Sequence, residues 1–265
     1  MAKTNSFGIA LFVVASAVWA HAVLAEQAPS DPQAEGNANA CGISISAKAQ
    51  PLAMVALTIT SRCLPDEQII LHHSGLIFSH KTDAAGIAKM AVPALSAKAI
   101  FVATFDNGDG ALTMIDVPDA DQFQRVALQW QGTKGLQLHA YEAGAGYRSD
   151  SHLSLQTTPL DLGSTKANDR FFTKLGTADI ADGFHAQVAS FPSKDSSETQ
   201  AIILRVEAEI THENCGRTIV GEILRRNADN RSNGQQLTLY LPKCDAVGNF
   251  IVMGKILEKL EASVE

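Results

Sequence analysis

Histidine is the residue type in this chain whose chemistry best suits metal binding or proton transfer near neutral pH. A hairpin turn is predicted at Ser74-Gly75. Cross-strand pairing around that turn would place His73 opposite Leu76 and His80 opposite Ile69, so these histidines would not converge. The histidines are therefore interpreted as surface or partly buried structural residues, and no metal ligand is predicted. The seven histidines beyond residue 25 are His72, His73, His80, His139, His152, His185 and His212.

Sequence motifs for metallo- and serine hydrolases are absent. The pair His212-Glu213 is followed by Gly216, where a zinc-binding H-E-x-x-H helix needs its second histidine. The chain has no G-x-S-x-G motif. Ser74 adjoins His73, but neighbours on a strand point to opposite faces and do not form a nucleophile–base pair by adjacency. No catalytic residue is predicted on these grounds.

The acidic residues offer two further candidates. Glu207 and Glu209 share one face of a predicted strand, about 7 Å apart, within reach of an inverting glycosidase pair. No aromatic residue interleaves to bind sugar, so a solvated strand face is predicted. The acidic stretch 106–110 begins like a calcium loop, but its twelfth position is Val117 rather than a bidentate acid, which indicates a β-turn. Nucleotide-binding glycine motifs are also absent, so no cofactor is predicted.

Four cysteines point to disulfides if the chain is exported. Three pairings are open, and Cys41–Cys63 and Cys215–Cys244 are favoured because each pair brackets nearby strand-like segments. The first pair would close the open end of a hairpin. The second would join matching ends of the first and third strands of a meander over residues 201–241. Zinc binding and thiol redox chemistry are the alternatives, but no C-x-x-C spacing supports either.

The first 25 residues resemble a cleaved export signal. Lys3 precedes an apolar run of about 12 residues, too short for the roughly 20 that cross a bilayer. Val23 and Ala25 suit a signal-peptidase site before Glu26. Periplasmic or secreted localisation is therefore expected, with no membrane span after cleavage.

The elements that must position all these residues are predicted to be short antiparallel strands. Turn signals about ten residues apart separate alternating runs, which is typical of a β-sandwich or barrel. Hairpins are predicted around residues 74–75, 106–110 and 132–135. The strand over 201–211 should bury Val206 and expose Glu207. Short helices are predicted near 168–175 and 255–262.

Composition divides the chain into four parts. Residues 1–25 are the predicted signal peptide, and 26–40 form a predicted disordered linker rich in Pro, Gln and Asn. A pattern break near 118–122 separates a predicted immunoglobulin-like or prealbumin-like β domain, 41–120, from a second β-rich domain, 123–265. Each of these two parts is expected to fold separately.

Two resemblances are carried by short motifs. Residues 75–78, 82–86 (Thr-Asp-Ala-Ala-Gly) and 92–95 resemble small prealbumin-like or immunoglobulin-like modules of exported proteins. The chain as a whole is similar to uncharacterised exported proteobacterial β-rich proteins, through residues 136–140, 206–209 and 214–217. Neither resemblance brings a set of catalytic residues.

Charge and the missing motifs together shape the functional expectation. A net charge of −7 gives no reason to expect nucleic-acid or anionic-membrane binding. The expected function is a non-enzymatic binding or assembly module of the periplasm or cell envelope, with an envelope protein as partner. The alternative is a periplasmic hydrolase whose site assembles only in three dimensions. Oligomeric state is not indicated.

Overall fold

Alternation of apolar and polar residues between glycine-containing turns makes this chain an antiparallel β protein. The structure, a computed structural model, describes residues 42–132, 135–142, 145, 149, 151–193, 202–226 and 232–257. The predicted class, mostly β and antiparallel, is confirmed. No helix among the described residues is long and apolar enough to cross a bilayer.

Sixteen strands and two single-turn 3-10 helices make up the described chain. The strands are β1 Ser44–Gln50, β2 Met54–Thr60, β3 Gln68–His73, β4 Leu76–Lys81, β5 Ile87–Pro93, β6 Lys98–Phe105, β7 Gly110–Asp116, β8 Phe123–Gln131, β9 Leu136–Glu142, β10 His152–Ser154, β11 Phe171–Leu175, β12 Phe184–Pro192, β13 Ile202–Glu209, β14 Thr218–Arg226, β15 Ser232–Tyr240 and β16 Phe250–Leu257. The 3-10 turns cover Pro118–Gln122 and Cys244–Ala246.

The first half of the chain contains two sheets, with strand orders β1-β2-β5 and β4-β3-β6-β7. Their apolar faces meet around fully buried side chains such as Leu57, Leu71 and Phe101. The hairpin turns predicted at 74–75 and 106–110 are confirmed by the β3–β4 and β6–β7 pairings.

The 82–86 motif forms the tight turn that its residues predict. Asp83 Oδ1 accepts backbone hydrogen bonds from Ala85 at 2.9 Å and Ile87 at 2.8 Å. Gly86 has φ +73°, and a Cβ there would lie 2.0 Å from the carbonyl oxygen of Ser61. Only glycine fits this position, because any side chain would collide with backbone.

The second half contains a five-stranded sheet, β11-β12-β8-β14-β15, and a four-stranded sheet, β10-β9-β13-β16. The five-stranded sheet is a middle layer with a hydrophobic core on each face. On β8, Ala127 belongs to the core shared with the first half, while Val126 and Leu128 belong to the core shared with the four-stranded sheet. Adjacent residues therefore serve different cores.

The helix predicted at 168–175 is wrong, because Phe171–Leu175 is strand β11. Phe171 packs into one core and its neighbour Phe172 into the other. A strand buried on both faces shows no alternation, so its sequence lacks the usual strand signal. The helix predicted at 255–262 is also wrong where it can be examined, since β16 runs to Leu257, and residues 258–262 lie outside the described residues.

The hairpin predicted around 132–135 is wrong as well. β8 and β9 lie in different sheets, because their apolar faces stack across the second core instead of pairing edge to edge. The predicted meander fails for the same reason, since β13 belongs to the four-stranded sheet while β14 and β15 pair in the other.

The Cys215–Cys244 disulfide is confirmed. The β14–β15 ladder continues beyond the strands, where Leu241 N–H donates to Arg217 O and Gly216 N–H donates to Pro242 O. This ladder brings the two cysteines to the same end of the sheet. Cys63 takes part in a disulfide, but its expected partner Cys41 lies outside the described residues, so that pairing stays a prediction.

The described residues all belong to one compact unit, Asn39–Glu265. Side chains from β8 cross the predicted boundary near 118–122. Gln129 Oε1 accepts a hydrogen bond from Ile77 N–H at 2.8 Å, and Gln129 Nε2 donates to Gly75 O at 3.1 Å. Separate folding of the two halves stays a prediction. The predicted signal peptide and linker, 1–40, lie outside the described residues.

Candidate functional site: an open edge strand and a buried polar cluster

The first hairpin carries His72, His73 and His80. Their register is the predicted one, with His73 opposite Leu76 and His80 opposite Ile69. His73 is buried and accepts a 2.7 Å hydrogen bond from Leu95 N–H at Nε2, while its Nδ1 lies 2.9 Å from Ile100 O. Both ring nitrogens of His73 therefore have backbone partners within the first half of the chain.

A polar cluster is instead assembled by the four-stranded sheet. Register places His152 of β10 opposite Tyr141 of β9, and Arg205 of β13 opposite His139 of β9. These side chains and that of Glu207 share the face opposite the hydrophobic core, because residues two apart on a strand point the same way. Sequence spacing could not show this, since β10 and β13 are separated by some 50 residues.

Short contacts link the members of this cluster. His139 Nδ1 lies 2.7 Å from His152 Nε2, and Tyr141 Oη donates to Glu207 Oε1 at 2.8 Å. His139 Nε2 lies 3.6 Å from Glu207 Oε2. The rings of Tyr141 and His152 stack with centroids 4.6 Å apart, and the Arg205 guanidinium lies over the Tyr141 ring at 5.0 Å.

The prediction that Glu207 lies on a solvated strand face is wrong. Its exposure is 3%, and His139 and Tyr141 on the neighbouring strand flank the carboxylate. Alternation identified the correct face, but it could not show that this face is buried. Glu209 on the same face is half-buried.

The electrostatics of the cluster favour a neutral His139. Burial lowers the pKa of His139, the Glu207 charge acts to raise that pKa, and the neighbouring His152 acts to lower it. Because the 2.7 Å bond needs one donor and one acceptor nitrogen, the two rings cannot both be protonated at those atoms. His139 Nε2 lies 3.3 Å from Gln137 Oε1, so the hydrogen-bonded pair in this cluster is His139 and His152, with the Glu207 carboxylate beside it at 3.6 Å. No metal-binding group of three His, Cys, Asp or Glu side chains occurs among the described residues.

The second candidate site is the edge of the five-stranded sheet at β15. In the part of the chain that the structure describes, β15 pairs with β14 on one side and no strand pairs with it on the other. Leu241 N–H donates to Arg217 O, so odd-numbered residues of β15 face β14 with their backbone groups. The N–H and C=O groups of Gly234, Gln236, Thr238 and Tyr240 therefore point outward.

Edge strands usually carry features that block further pairing, such as lysine, proline or short length. The sequence of β15, SNGQQLTLY, contains no charged residue and no proline. Every other described edge strand has a charge or is only three residues long. These strands are β1 with Lys48, β5 with Lys89, β4 with Lys81, β7 with Asp116, β11 with Lys174, β16 with Lys255, and the short β10.

A groove of about 500 Å³ runs beside this edge, between the first half and the β14–β15 face. Ile77 and Gln129 line one side of the groove, and Glu222 and Gly234 lie on its floor. The Glu222 carboxylate accepts a 2.8 Å hydrogen bond from Gln129. A Cβ at Gly234 would lie 2.0 Å from Glu222 Oε1, so the Glu222 carboxylate lies directly over this glycine.

Two apolar side chains are exposed on the same face. Tyr240 on β15 is 77% exposed and Val220 on β14 is 47% exposed. Val220 lines the groove, and Tyr240 lies on the same strand face as Thr238, the β15 residue paired with Val220. This edge was not among the sites expected from the sequence. The available signal was a run without charge or proline that ends in the alternating residues Leu237 to Tyr240.

No protein-family model matches this chain, and no curated protein matches it. Fold and sites therefore define the protein class by themselves: an antiparallel, β-sandwich-like protein with an unprotected edge strand and a buried His–Glu cluster.

Proposed function

We propose that this chain is a non-enzymatic binding or assembly module of the periplasm or cell envelope. Its partner, an envelope protein, would add an extended segment along the outer edge of β15. The observation that carries the proposal is the row of outward backbone groups from Gly234 to Tyr240 on a strand without charge or proline.

Strand addition suits this edge for two reasons. Backbone groups of the partner would satisfy the outward N–H and C=O groups, which gives affinity without sequence preference. Side chains of the partner that point towards the groove would contact Val220 and Tyr240, which gives selectivity. Because Glu222 adds a negative charge to the floor, neutral or basic partner segments are favoured.

Two features support the envelope as the compartment. The predicted signal peptide and the Cys215–Cys244 disulfide both suit an oxidising location. N-terminal sequencing of protein recovered from envelope fractions should begin near Glu26. A chain that retains Met1 would contradict this part of the proposal.

Site-specific photo-crosslinking tests the binding function. A photo-reactive residue at Thr238 should give a discrete adduct with an envelope protein, and Gln236→Lys in the same chain should abolish that adduct. The same residue at Leu112, which is 70% exposed on β7, is the matched control and should give none. Hydrogen exchange should then show the outward amides of β15 protected by the captured partner. Adducts of equal yield at both positions would refute the proposal.

A periplasmic hydrolase is the second candidate, favoured by the convergence of His139, His152 and Glu207. In such an enzyme His152 would take a proton from water or a nucleophile, and Glu207 would stabilise the positive charge that develops on the histidine pair. Hydrolysis of simple ester, amide or glycoside substrates would support this candidate if Glu207→Gln removed it at an unchanged melting temperature. Glu209→Gln, on the same strand face, is the control.

A further inference from the structure

We infer that the segment paired with the β15 edge is β15 of a second copy of this chain. The inference rests on the proposed function, because it names the partner of the same edge. Antiparallel pairing of the two strands about a twofold axis would join two five-stranded sheets into one continuous sheet.

Backbone geometry selects the registers that such a dimer can use. The outward groups belong to even-numbered residues, so each of these must face an even-numbered residue of the other copy. With the axis at Leu237, Gln236 faces Thr238 and Gly234 faces Tyr240. Each of these pairs occurs twice, which gives roughly eight backbone hydrogen bonds across the interface.

Side chains favour the register centred on Leu237. It places the exposed ring of Tyr240 beside Gly234 of the other copy, at both ends of the strand pair. The Tyr240 hydroxyl can then donate to Glu222, whose carboxylate overlies Gly234. Shifting the register by two residues loses both contacts.

The absence of charge on β15 also fits a second copy. Self-pairing places identical sequences side by side, so any charged residue near the axis would face or adjoin its own copy. The strand SNGQQLTLY avoids this repulsion along its whole length. Two grooves of about 500 Å³ would face each other across the axis, and each would receive one Tyr240 ring.

Sedimentation velocity on the full mature chain, from low to high micromolar concentration, tests the inference. The parent chain should form a dimer. Gln236→Lys combined with Thr238→Lys should weaken dimerisation roughly tenfold or more, because like charges then face each other twice. Gln236→Lys combined with Thr238→Glu should restore it, because opposite charges face each other in this register alone. Tyr240→Ala should weaken it without lowering the melting temperature, since the ring is exposed in the single chain.

Leu112→Lys adds the same charge on another edge strand and should leave the dimer intact. Thermal melts of every variant separate a loss of pairing from a loss of folding. A parent chain that stays monomeric, or a dimer unaffected by the paired lysines, would overturn the inference. A Lys–Glu variant that dimerises as weakly as the double-lysine variant would also overturn it. If the chain is monomeric but the crosslink at Thr238 to an envelope protein persists, self-pairing fails while the proposed function stands.

Discussion

Replacing Arg125 by methionine should lower the free energy of unfolding by about 3 to 5 kcal/mol. Arg125 lies on β8 and is 4% exposed. Its guanidinium donates to the carbonyl oxygens of Leu52 at 2.6 Å, Ala53 at 3.0 Å and Ala94, and to Ser190 Oγ at 3.0 Å. These bonds tie the second half of the chain to two turns of the first half.

The magnitude follows from what the carbonyls lose. Hydrogen bonds to a charged group contribute about 1.5 to 3 kcal/mol each, and a buried acceptor left without a donor costs about 1 to 3 kcal/mol. The carbonyls of Leu52 and Ala94 would lose this donor together, whereas Ala53 O would keep its 2.9 Å hydrogen bond from Ala94 N–H. Removing the buried charge recovers part of this loss, because burial of the guanidinium is itself unfavourable. That cost is the reason why burial lowers the pKa of Arg125 to about 9, which still leaves the group charged at neutral pH.

Backbone conformation adds to the dependence on Arg125. Leu52 and Ala53 both have positive φ, +65° and +50°. Each such residue costs roughly 1 to 2 kcal/mol relative to ordinary backbone. Two of the carbonyls that accept from Arg125 are those of Leu52 and Ala53 in this turn. The arginine therefore stabilises a backbone conformation that is unfavourable by itself.

Urea denaturation, followed by Trp130 fluorescence and far-UV circular dichroism, measures the effect. Ser190→Ala is the control, because it removes one neutral acceptor and should cost about 1 kcal/mol. Arg125→Lys should give an intermediate loss, since an ammonium keeps the charge but lacks the planar fork. A loss below about 1 kcal/mol for Arg125→Met would refute the reasoning. If the fluorescence and circular dichroism transitions of that variant had different urea midpoints, Arg125 would also be shown to couple the unfolding of the two halves.

Four further predictions concern the second half. Val206→Asp places a carboxylate at a side chain that is 0% exposed and should cost several kcal/mol. Glu207→Ala removes a buried acceptor and should cost about 1 to 3 kcal/mol. A loss of less than about 0.5 kcal/mol in the same urea assay would mean that the carboxylate is solvated. Replacing Cys215 and Cys244 together by alanine opens a loop with a sequence separation of 29 and should cost roughly 3 to 4 kcal/mol, so equal stability of variant and oxidised parent would contradict it. The pKa of His139 is lowered in the folded chain, so the unfolded chain binds the proton more tightly and stability should fall as pH drops below about 6.5. Urea melts across pH should show this fall, and His139→Asn should reduce it; an unchanged slope in that variant would exclude His139 as the cause.

Local physical chemistry made part of this structure predictable from sequence. The 82–86 turn follows from an aspartate that accepts backbone N–H groups and a glycine that no side chain can replace. Burial of Val206 follows from strict alternation along one strand. The Cys215–Cys244 pairing was also correct, although the ladder that brings the cysteines together is β14–β15 and not the expected meander.

Other features depended on which sheet each strand joins. The pair Phe171-Phe172 shows no strand alternation in sequence because β11 is buried on both faces. That burial arises because the five-stranded sheet is a layer between two hydrophobic cores. Glu207 was placed on the correct face, but the side chains that bury it come from β9. The open edge of β15 exists because no described strand pairs beyond it. Strand pairing joins residues far apart in sequence, and its choice depends on which apolar faces can be buried together, so local patterns could not decide it.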